Sequence, residues 1–367
     1  MSLNIAFFGS SLVSAYWNGA ATYYRGIIRA LHERGHSVTF YEPDAFERQS
    51  HRDLPDPPWA RVAVYDASSE SSVLAQVEQA RGCDVIVKAS GVGVHDALLE
   101  QAVLDLQSPT QTVLFWDVDA PATLSRVESD PGDPFRTLIP RYDMILTYGG
   151  GRPVMDRYMM LGARHCAPVY NALDPTTHFP VPPEARFAAD LTFLGNRLPD
   201  REARVEEFFL KPAMACASKS FLLAGNGWND KPISSNVRRT GHVYTNDHNA
   251  LNCSALAVLN ITRESMAANG WSPATRVFEA AGAGACLLTD EWDGIEDFLE
   301  PGSECLVARD GEGVARHITD LTLTRARSIG EAARSRISAQ HTYAHRAAQV
   351  EEILGARHVR HRSLSTI

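Results

Sequence analysis

The chain has 367 residues, 44% hydrophobic and 22% charged, which is enough for two ordinary domains of about 150 to 200 residues each. Its formal net charge of −9 argues against an extended nucleic-acid groove, which needs a basic surface. The sequence contains no signal peptide and no apolar run of membrane-spanning length, so we expect a soluble protein of the cytoplasm. Six scattered cysteines without paired spacing indicate neither a zinc site nor a disulfide framework.

In the first half of the chain, short buried strands alternate with helical patterns, as in a doubly wound α/β protein. The predicted strands are 4–8, 37–41, 84–88, 112–116 and 144–148. The predicted helices are 20–34, 71–81 and one that ends at Leu106. This alternation predicts a Rossmann-like domain over residues 1–170.

Between residues 171 and 188 prolines become frequent and the hydrophobic periodicity is lost. Prolines stiffen and punctuate a crossing between domains, so we interpret 171–188 as a linker. A second Rossmann-like domain is predicted over 189–340, with strands at 190–194, 220–224, 255–260 and near 242–244. The last predicted helices are 311–323 and 326–354. The end of the second helix and the residues after it, 341–367, are assigned to a C-terminal helix and tail.

The segment 260–290 indicates a strand end, a polar loop, a helix and another strand. Ser272 suits an N-cap and Pro273 the first helical position, so the helix is predicted to begin there. Ser272, Thr275 or Arg276, and Glu279 then share one face, and the free N–H groups of the helix start favour a phosphate. Glu279 lies about 10 Å further along, which is the scale between the diphosphate and ribose of a nucleotide. This pattern favours a nucleotide sugar.

The same residues resemble a known family. The runs 272–280 and 294–304 are similar to the donor-binding half of GT-B glycosyltransferases, most of all the CgeB-like (spore maturation) group allied to the group 1 enzymes. The resemblance implies two Rossmann-like domains facing across a cleft, with C-terminal helices crossing back to the first domain. It also implies that Glu279 binds the donor ribose. Trp271 stands where the larger group carries a second glutamate, so that contact to the donor sugar is missing.

Four arginines are candidates for the diphosphate, because the leaving group gains negative charge during glycosyl transfer. They follow strand ends or begin helices in the second domain: Arg197, Arg201, Arg263 and Arg276. The resemblance implies that Asn196 and Arg201, with the Gly195 loop, meet the pyrophosphate. For any single arginine a surface ion pair is the alternative. Backbone groups near Val243 and Tyr244 are candidates for the nucleobase.

Three residues of the first domain are candidates for the catalytic base, since each follows a strand end. Asp117 and Asp119 have the D-x-D spacing that single-domain glycosyltransferases use for a metal, but here they precede the donor domain and are interpreted as an acceptor-side pair. Asp119 is the first choice, because the Asp-x-Pro pattern resembles the CgeB-like group. The alternative is that both aspartates cap the following helix. His95 is the third candidate, or else simply the start of a helix.

Acceptor-side contacts are expected at the loop after the first strand. Ser10 and Ser11 lie in its first turn, and Tyr16 and Trp17 follow. The two aromatic side chains could stack on a sugar or aglycone, or pack within the protein.

The resulting hypothesis is a hexosyltransferase-like enzyme without a bound metal or other cofactor. Its co-substrate is a UDP-, GDP- or dTDP-sugar, and its acceptor is not identified by the sequence. A nucleotide-sugar 2-epimerase of the same architecture and a non-catalytic sugar-binding or nucleotide-binding protein are the alternatives. A nicotinamide enzyme is not favoured, because Gly91-Val-Gly93 lacks the third glycine of the dinucleotide fingerprint. Oligomeric state and stereochemical outcome are left open by the sequence.

Overall fold

The structure is a computed structural model that describes residues 2–16 and 18–364, without the side chains of Asp200 and of residues from 356 onward. The chain forms two compact units. The first comprises Met1–Tyr170 and Tyr343–Ile367, and the second comprises Asn171–Thr342. None of the helices in the described part of the chain has the length and apolar character needed to cross a bilayer.

The first unit contains one seven-stranded parallel sheet. Its strands are β1 (Asn4–Phe8), β2 (Ser37–Asp44), β3 (Arg61–Asp66), β4 (Val85–Ala89), β5 (Thr112–Asp117), β6 (Met144–Thr147) and β7 (Cys166–Pro168). Its helices are α1 (Ala21–Glu33), α2 (Glu70–Glu78), α3 (Asp96–Ala102), α4 (Ala120–Ser129), α5 (Pro134–Leu138), α6 (Gly151–Met160) and α14 (Tyr343–Leu364). Every residue of β4 and β5 is buried, as expected for central strands of a parallel sheet covered on both faces.

The order of strands in this sheet is β3-β2-β1-β4-β5-β6-β7, so the direction of winding reverses between β1 and β4. In open α/β sheets, ligands bind outside the carboxyl ends of the strands at such a reversal. The loops that follow β1 and β4 flank this position in the first unit.

The edge strand β3 is absent from the sequence-based prediction. Its residues pair in parallel register with β2, and only Tyr65 of the strand is fully buried. An edge strand carries a weak hydrophobic signal, because one side has no neighbour and its ends here are charged.

Helix α14 belongs to the first unit through close packing on α1. A Cβ added to Gly26 would lie 2.2 Å from the ring of Tyr343, so only glycine allows this approach. Arg34 and His36 both contact the carboxylate of Glu351, and the His36 Nε2 to Oε1 distance is 2.9 Å. The sequence pattern predicts one helix over 326–354. In the structure the helix is interrupted at His341 and Thr342, so that one helix ends at Gln340 and α14 begins at Tyr343.

The second unit contains a six-stranded parallel sheet in the order β10-β9-β8-β11-β12-β13. These strands are β8 (Ala189–Leu194), β9 (Phe221–Ala224), β10 (Val237–Arg239), β11 (Ala255–Asn260), β12 (Leu287–Asp290) and β13 (Leu306–Ala308). The helices are α7 (Pro199–Val205), α8 (Lys211–Ala215), α9 (His248–Ser254), α10 (Glu264–Asn269), α11 (Thr275–Gly282), α12 (Gly311–Asp320) and α13 (Leu323–Gln340). The winding reverses between β8 and β11, so the loops after these two strands flank the expected ligand position.

The structure differs from the sequence-based prediction at one strand of this unit. The residues 242–244 form no strand, and the edge strand of this side is β10 instead. The segment 171–188 is packed within the second unit, where Asn171 Nδ2 donates to the Pro273 carbonyl at 3.1 Å and Val181 N donates to Cys253 Sγ at 3.4 Å. Its prolines therefore shape a fixed segment of this unit.

Candidate functional site

Helix α11 begins at Thr275, later than the sequence analysis predicts. Ser272 does not cap the helix, because its hydroxyl is buried and donates to the Gly270 carbonyl at 2.9 Å. A sharp turn precedes it, with positive φ angles of 67° at Gly270 and 41° at Trp271. The N-cap residue is Ala274, which provides no side-chain hydrogen bond. The first amides of α11 therefore have no side-chain cap, which is the condition for binding an anion.

Glu279 lies one turn further along α11 and is 8% exposed. Its Oε2 is 3.2 Å from Arg276 Nη1, and its Oε1 is 3.9 Å from His178 Nε2. Across the part of the chain that the structure describes, no residue donates a hydrogen bond to this carboxylate. Burial raises the pKa of Glu279, but electrostatic interactions, first among them the one with the Arg276 guanidinium, outweigh burial and lower that pKa overall. The group is therefore a buried, ionised carboxylate that forms an ion pair with Arg276 but accepts no hydrogen bond from the described residues.

Two histidines complete this cluster. His178 comes from the segment before β8 and His248 is the first residue of α9; their rings are 6.3 Å apart. One potential ligand atom from each histidine and one from Glu279 all lie within 4.8 Å of one another. Burial lowers the pKa of His178, and Arg276 adds to this effect. Burial, and then Arg276, lower the pKa of His248 to about 4, so both rings are neutral at pH 7.

The histidines are not among the sequence-predicted site residues. Each is a single histidine without a neighbouring motif, and nothing in the local spacing links it to Glu279. The local signals are weak: His178 lies within the proline-rich segment 171–188, and His248 is the first residue of a helix.

Asn196 lies in the loop that follows β8, and Arg201 lies close to that loop. A Cβ at Gly195 would lie 3.0 Å from Arg201 Nη1, so the missing side chain lets the guanidinium approach the loop. Asn196 Oδ1 accepts from the amide of Asn226 at 2.9 Å, and Trp228 Nε1 donates to the Gly195 carbonyl at 2.8 Å. The loops after β8 and β9 are thus fixed to one another near Arg201.

Arg197 has a different environment from the one expected for a phosphate ligand. Its guanidinium is 2.7 Å from Glu202 and 2.9 Å from Asp230. Two carboxylates already neutralise this side chain, which fits the surface ion pair considered as the alternative. Arg197 is therefore a support for the loop, and its proposed contact with the diphosphate is not favoured.

The remaining predicted donor residues are distributed around the same edge of the sheet. Arg263 is the N-cap residue of α10, in the loop after β11, and Thr275 is the first residue of α11. Val243 is buried, whereas the Tyr244 side chain is 70% exposed. Of the predicted donor residues, the structure brings Arg276 and Glu279 together at 3.2 Å.

Trp271 occupies a fixed position next to this cluster. Its amide donates to the Asp293 carbonyl at 2.6 Å, and its indole Nε1 donates to Asp297 Oδ2 at 2.7 Å. The ring lies against Gly294, where an added Cβ would be 2.3 Å from it. An indole ring held in this way cannot replace the carboxylate that the larger group places here.

In the first unit, Asp117 is completely buried and is not available to a substrate. Its Oδ1 accepts from Ser90 Oγ at 2.7 Å, the Asp119 amide at 3.0 Å and Thr123 Oγ1 at 3.0 Å. Its Oδ2 accepts from Tyr158 OH at 2.5 Å. Burial raises its pKa despite these hydrogen bonds. These contacts do not favour the predicted catalytic role of Asp117, and they fix the loop that carries Asp119.

Asp119 and His95 both stand at helix starts. Asp119 is partly buried at the N-cap position of α4, but its side chain makes no capping hydrogen bond. His95 is the N-cap residue of α3 with a φ of 54°, and its Nε2 lies 3.0 Å from the Ala67 carbonyl. These contacts fit the alternative that His95 is a structural residue, and Asp119 stays the candidate base.

The acceptor-side residues lie after β1, at the reversal of the first sheet. Ser10 Oγ donates to Asn18 Oδ1 at 2.9 Å, and Ser11 Oγ donates to Glu42 Oε1 at 3.1 Å; both serines are buried. Tyr16 is 38% exposed and stacks on His51 with ring centroids 4.0 Å apart. Trp17 lies outside the described residues. Of the acceptor-side residues that the structure describes, Tyr16 is thus the one with an exposed face.

Comparisons with known proteins agree with this geometry. Residues 201–352 match the family described as Glycosyl transferase-like. A search of curated proteins finds no match to the chain. Among solved structures, Anabaena HepE in complex with UDP and glucose is similar with a TM-score of 0.68 and 14% identity, covering 96% of this chain and 100% of that one. Sucrose-phosphate synthase from Thermosynechococcus elongatus is similar with a TM-score of 0.71 and 14% identity, covering 97% and 99%. The β-glucosyltransferase of phage T4 has a TM-score of 0.61 and 13% identity, covering 95% and 99%.

These similarities extend over nearly the whole chain and confirm the predicted fold, with two parallel-sheet α/β domains. The family match covers α11, Glu279 and His248 and supports the predicted glycosyltransferase activity. The chain therefore has the GT-B fold, and its residues 201–352 are similar to a glycosyl transferase-like domain.

Proposed function

We propose that the protein is a glycosyltransferase that moves a hexose-like sugar from a nucleotide diphosphate to an acceptor. The observation that carries this proposal is Glu279, an ionised carboxylate that is 8% exposed and accepts no hydrogen bond from the described residues. Burying such a group without a partner costs free energy, and a ligand with hydroxyl groups offsets that cost. The ribose of a nucleotide supplies these hydroxyls.

The diphosphate is assigned to the uncapped start of α11 and to Arg201. The helix start offers free N–H groups and the positive end of the helix dipole, and Arg201 lies at the Gly195 loop at the same edge of the sheet. Both stabilise the negative charge that develops on the leaving diphosphate. Because protein cations and N–H groups supply this charge, the enzyme needs no bound metal for the transfer.

The finer assignments depend on individual features. The runs 272–280 and 294–304 support membership of the CgeB-like group. HepE was solved with UDP-glucose, which supports a uridine diphosphate donor here. Asp119 is assigned as the base that takes the acceptor proton, since Asp117 holds its amide and fixes the loop. Tyr16 is assigned to stacking against the acceptor.

The test is calorimetric titration of the protein with UDP, GDP and dTDP. The wild type binds at least one of them, whereas Glu279→Gln and Arg201→Ala each bind it roughly tenfold or more weakly, because each loses a charge-assisted contact. Glu312→Gln, an exposed glutamate of the same unit, is the matched control and binds normally. Absence of nucleotide binding, or unchanged binding by both variants, would contradict the proposal.

Turnover then separates the possible activities. With donor sugar but no acceptor, a transferase at most hydrolyses the donor slowly, whereas a 2-epimerase changes the configuration of the sugar. Addition of EDTA leaves the transfer rate unchanged if no metal takes part. A rate that EDTA abolishes and Mg²⁺ restores would contradict the metal-independent mechanism.

A further inference from the structure

The proton of the His178 ring is located by a short chain of hydrogen bonds. Thr177 Oγ1 lies 3.1 Å from the Asp174 carbonyl, which only accepts, so the hydroxyl donates its proton there. His178 Nδ1 lies 2.9 Å from the same hydroxyl and must donate to it. A neutral imidazole carries one N–H, so Nε2 presents a lone pair. This atom is buried without a hydrogen-bond partner among the described residues.

The His248 ring offers a second unpaired atom. Its Nδ1 is buried and makes no hydrogen bond to the described residues. In the tautomer that carries the proton on Nε2, Nδ1 presents a lone pair.

One ring nitrogen from each histidine and one oxygen of the Glu279 carboxylate lie within 4.8 Å of one another, and the His178 atom nearest to Glu279 is Nε2, at 3.9 Å. Such an arrangement is unfavourable without donors between them. It is held in place because Asn249 Nδ2 donates to the Thr177 carbonyl at 2.9 Å and Asn249 Oδ1 accepts from the Phe179 amide at 3.3 Å. These bonds fix the histidine segment on α9.

One donor belongs to the same cluster. Arg276 Nη1 is buried and, although 3.2 Å from Glu279, makes no well-formed hydrogen bond to a described residue. A vicinal diol matches this set, because one hydroxyl donates to Glu279, the other donates a bifurcated hydrogen bond between the two histidine nitrogens, and the diol oxygens accept from Arg276. A divalent cation would also answer the lone pairs, but the neighbouring guanidinium opposes a second positive charge.

We propose that His178 and His248 make the donor site specific for a ribonucleotide, by accepting a hydrogen bond from the ribose hydroxyl that Glu279 does not bind. This inference rests on the nucleotide-sugar function proposed above. A 2′-deoxyribonucleotide leaves the histidine side of the cluster without a donor, so UDP- or GDP-sugars are donors and dTDP-sugars are poor ones. The histidines are specificity-determining residues and have no part in the chemical step.

The experiment compares matched pairs of nucleotides, UDP with 2′-deoxy-UDP and GDP with 2′-deoxy-GDP, by calorimetry. Wild type binds the ribonucleotide about tenfold more tightly, since loss of the hydroxyl leaves a buried acceptor unpaired. His178→Phe and His248→Phe, which keep a ring and remove the lone pairs, reduce this ratio to below about threefold without weakening the deoxynucleotide. His178→Gln retains an acceptor and keeps most of the preference. Thermal unfolding of each variant confirms that it is folded.

The outcomes are distinguishable. Equal binding of UDP and 2′-deoxy-UDP by wild type, with Glu279→Gln still weakened, overturns the role of the histidines and leaves the glycosyltransferase proposal intact. Absence of binding to any nucleotide overturns both. Stoichiometric Zn²⁺ binding that both Phe variants abolish, combined with an unchanged ribose preference in those variants, would assign the cluster to a metal and overturn the inference.

Discussion

The two units use the carboxyl ends of their parallel strands in opposite ways. In the first unit, two carboxylates at this edge are satisfied by the protein itself. Asp117 accepts four hydrogen bonds, and Asp96 accepts from Lys88 and from the amides of Val92 and Gly93. In the second unit, the Glu279 carboxylate forms an ion pair with Arg276 but accepts no hydrogen bond from the described residues, and His178 Nε2 and His248 Nδ1 are buried without a hydrogen-bond partner among those residues.

This difference separates a structural network from a ligand site. A buried polar group that is paired fixes a loop, whereas one that is unpaired destabilises the protein until a ligand arrives. The contrast lies in the individual residues, since Asp290 at the end of β12 accepts from Thr262 and Arg204 and is fully satisfied. Four changes test the contrast, in order of decreasing expected effect.

Asp117→Ala is expected to destabilise the protein by about 3 kcal/mol or more, because it leaves buried donors from Ser90, Thr123 and Tyr158 unpaired. Urea unfolding measures the loss. Asp66→Ala is the matched control at the end of β3, where the carboxylate is exposed, and we expect a loss below about 1 kcal/mol. Equal losses in the two variants would show that the buried network is not the stabilising feature.

Glu100 is a buried carboxylate of the first unit with one oxygen left unpaired by the part of the chain that the structure describes. Burial raises its pKa to about 7, against 4.5 ordinarily, and its Oε2 has no hydrogen-bond partner among the described residues. The folded protein therefore holds this proton more tightly than the unfolded chain, and stability is lost as the pH rises from 4.5 through 7. Glu100→Gln removes this dependence. The free energy of unfolding of the variant, taken relative to wild type, is expected to increase by about 2 kcal/mol from pH 5 to pH 8, measured by urea unfolding. An unchanged difference between variant and wild type at the two pH values would contradict the assignment.

His248 gives a pH dependence of the opposite sign. Its folded pKa of about 4 lies below the ordinary 6.5, so the unfolded chain binds the proton first and stability falls as the pH drops below 6.5. Between pH 7 and pH 5 the expected loss is about 2 kcal/mol, and His248→Gln removes it. Glu100 acts in the opposite direction over this range, so each contribution is read from its own variant in urea unfolding. A variant with the wild-type pH dependence would show that His248 is not buried as a neutral ring.

Arg197→Ala is expected to have the smallest effect. Glu202 and Asp230 already neutralise this arginine, so its removal changes UDP affinity by less than about twofold. Arg201 is the third residue of α7, and Arg201→Ala is expected to weaken UDP binding about tenfold or more, measured by calorimetry. A larger loss of UDP affinity in Arg197→Ala than in Arg201→Ala would place Arg197 at the diphosphate site and show that its ion pairs break when the ligand binds.

Much of the fold could be predicted from the sequence, because buried parallel strands are apolar throughout. The strands 4–8 and 255–260 agree with the structure in both bounds. The edge strand β3 and the break between α13 and α14 could not be predicted in this way. The break follows from tertiary contacts, since the Leu173 amide donates to the His341 carbonyl at 2.8 Å and no glycine or proline marks the position.

The candidate site was only half visible in the sequence. Arg276 and Glu279 are three positions apart on one helix, so their proximity follows from helical geometry alone. The start of α11 was misplaced, because a buried turn at Gly270 and Trp271 uses Ser272 for its own hydrogen bond. His178 and His248 come from other segments, and no local pattern places them beside Glu279.

By itself, the sequence determined the α/β alternation, the family resemblance and the helix that carries Glu279, because these depend on periodicity and on residues close in the chain. The tertiary structure decided which polar groups are satisfied and which await a ligand. In the sequence, Asp117 is a carboxylate at the end of a strand and Glu279 is a carboxylate within a helix. Only the packing around them gives Asp117 four hydrogen-bond donors and gives Glu279 none among the described residues. Hydrogen-bond satisfaction depends on atoms brought together from distant segments, and this property separates the structural carboxylate from the one proposed to bind the donor.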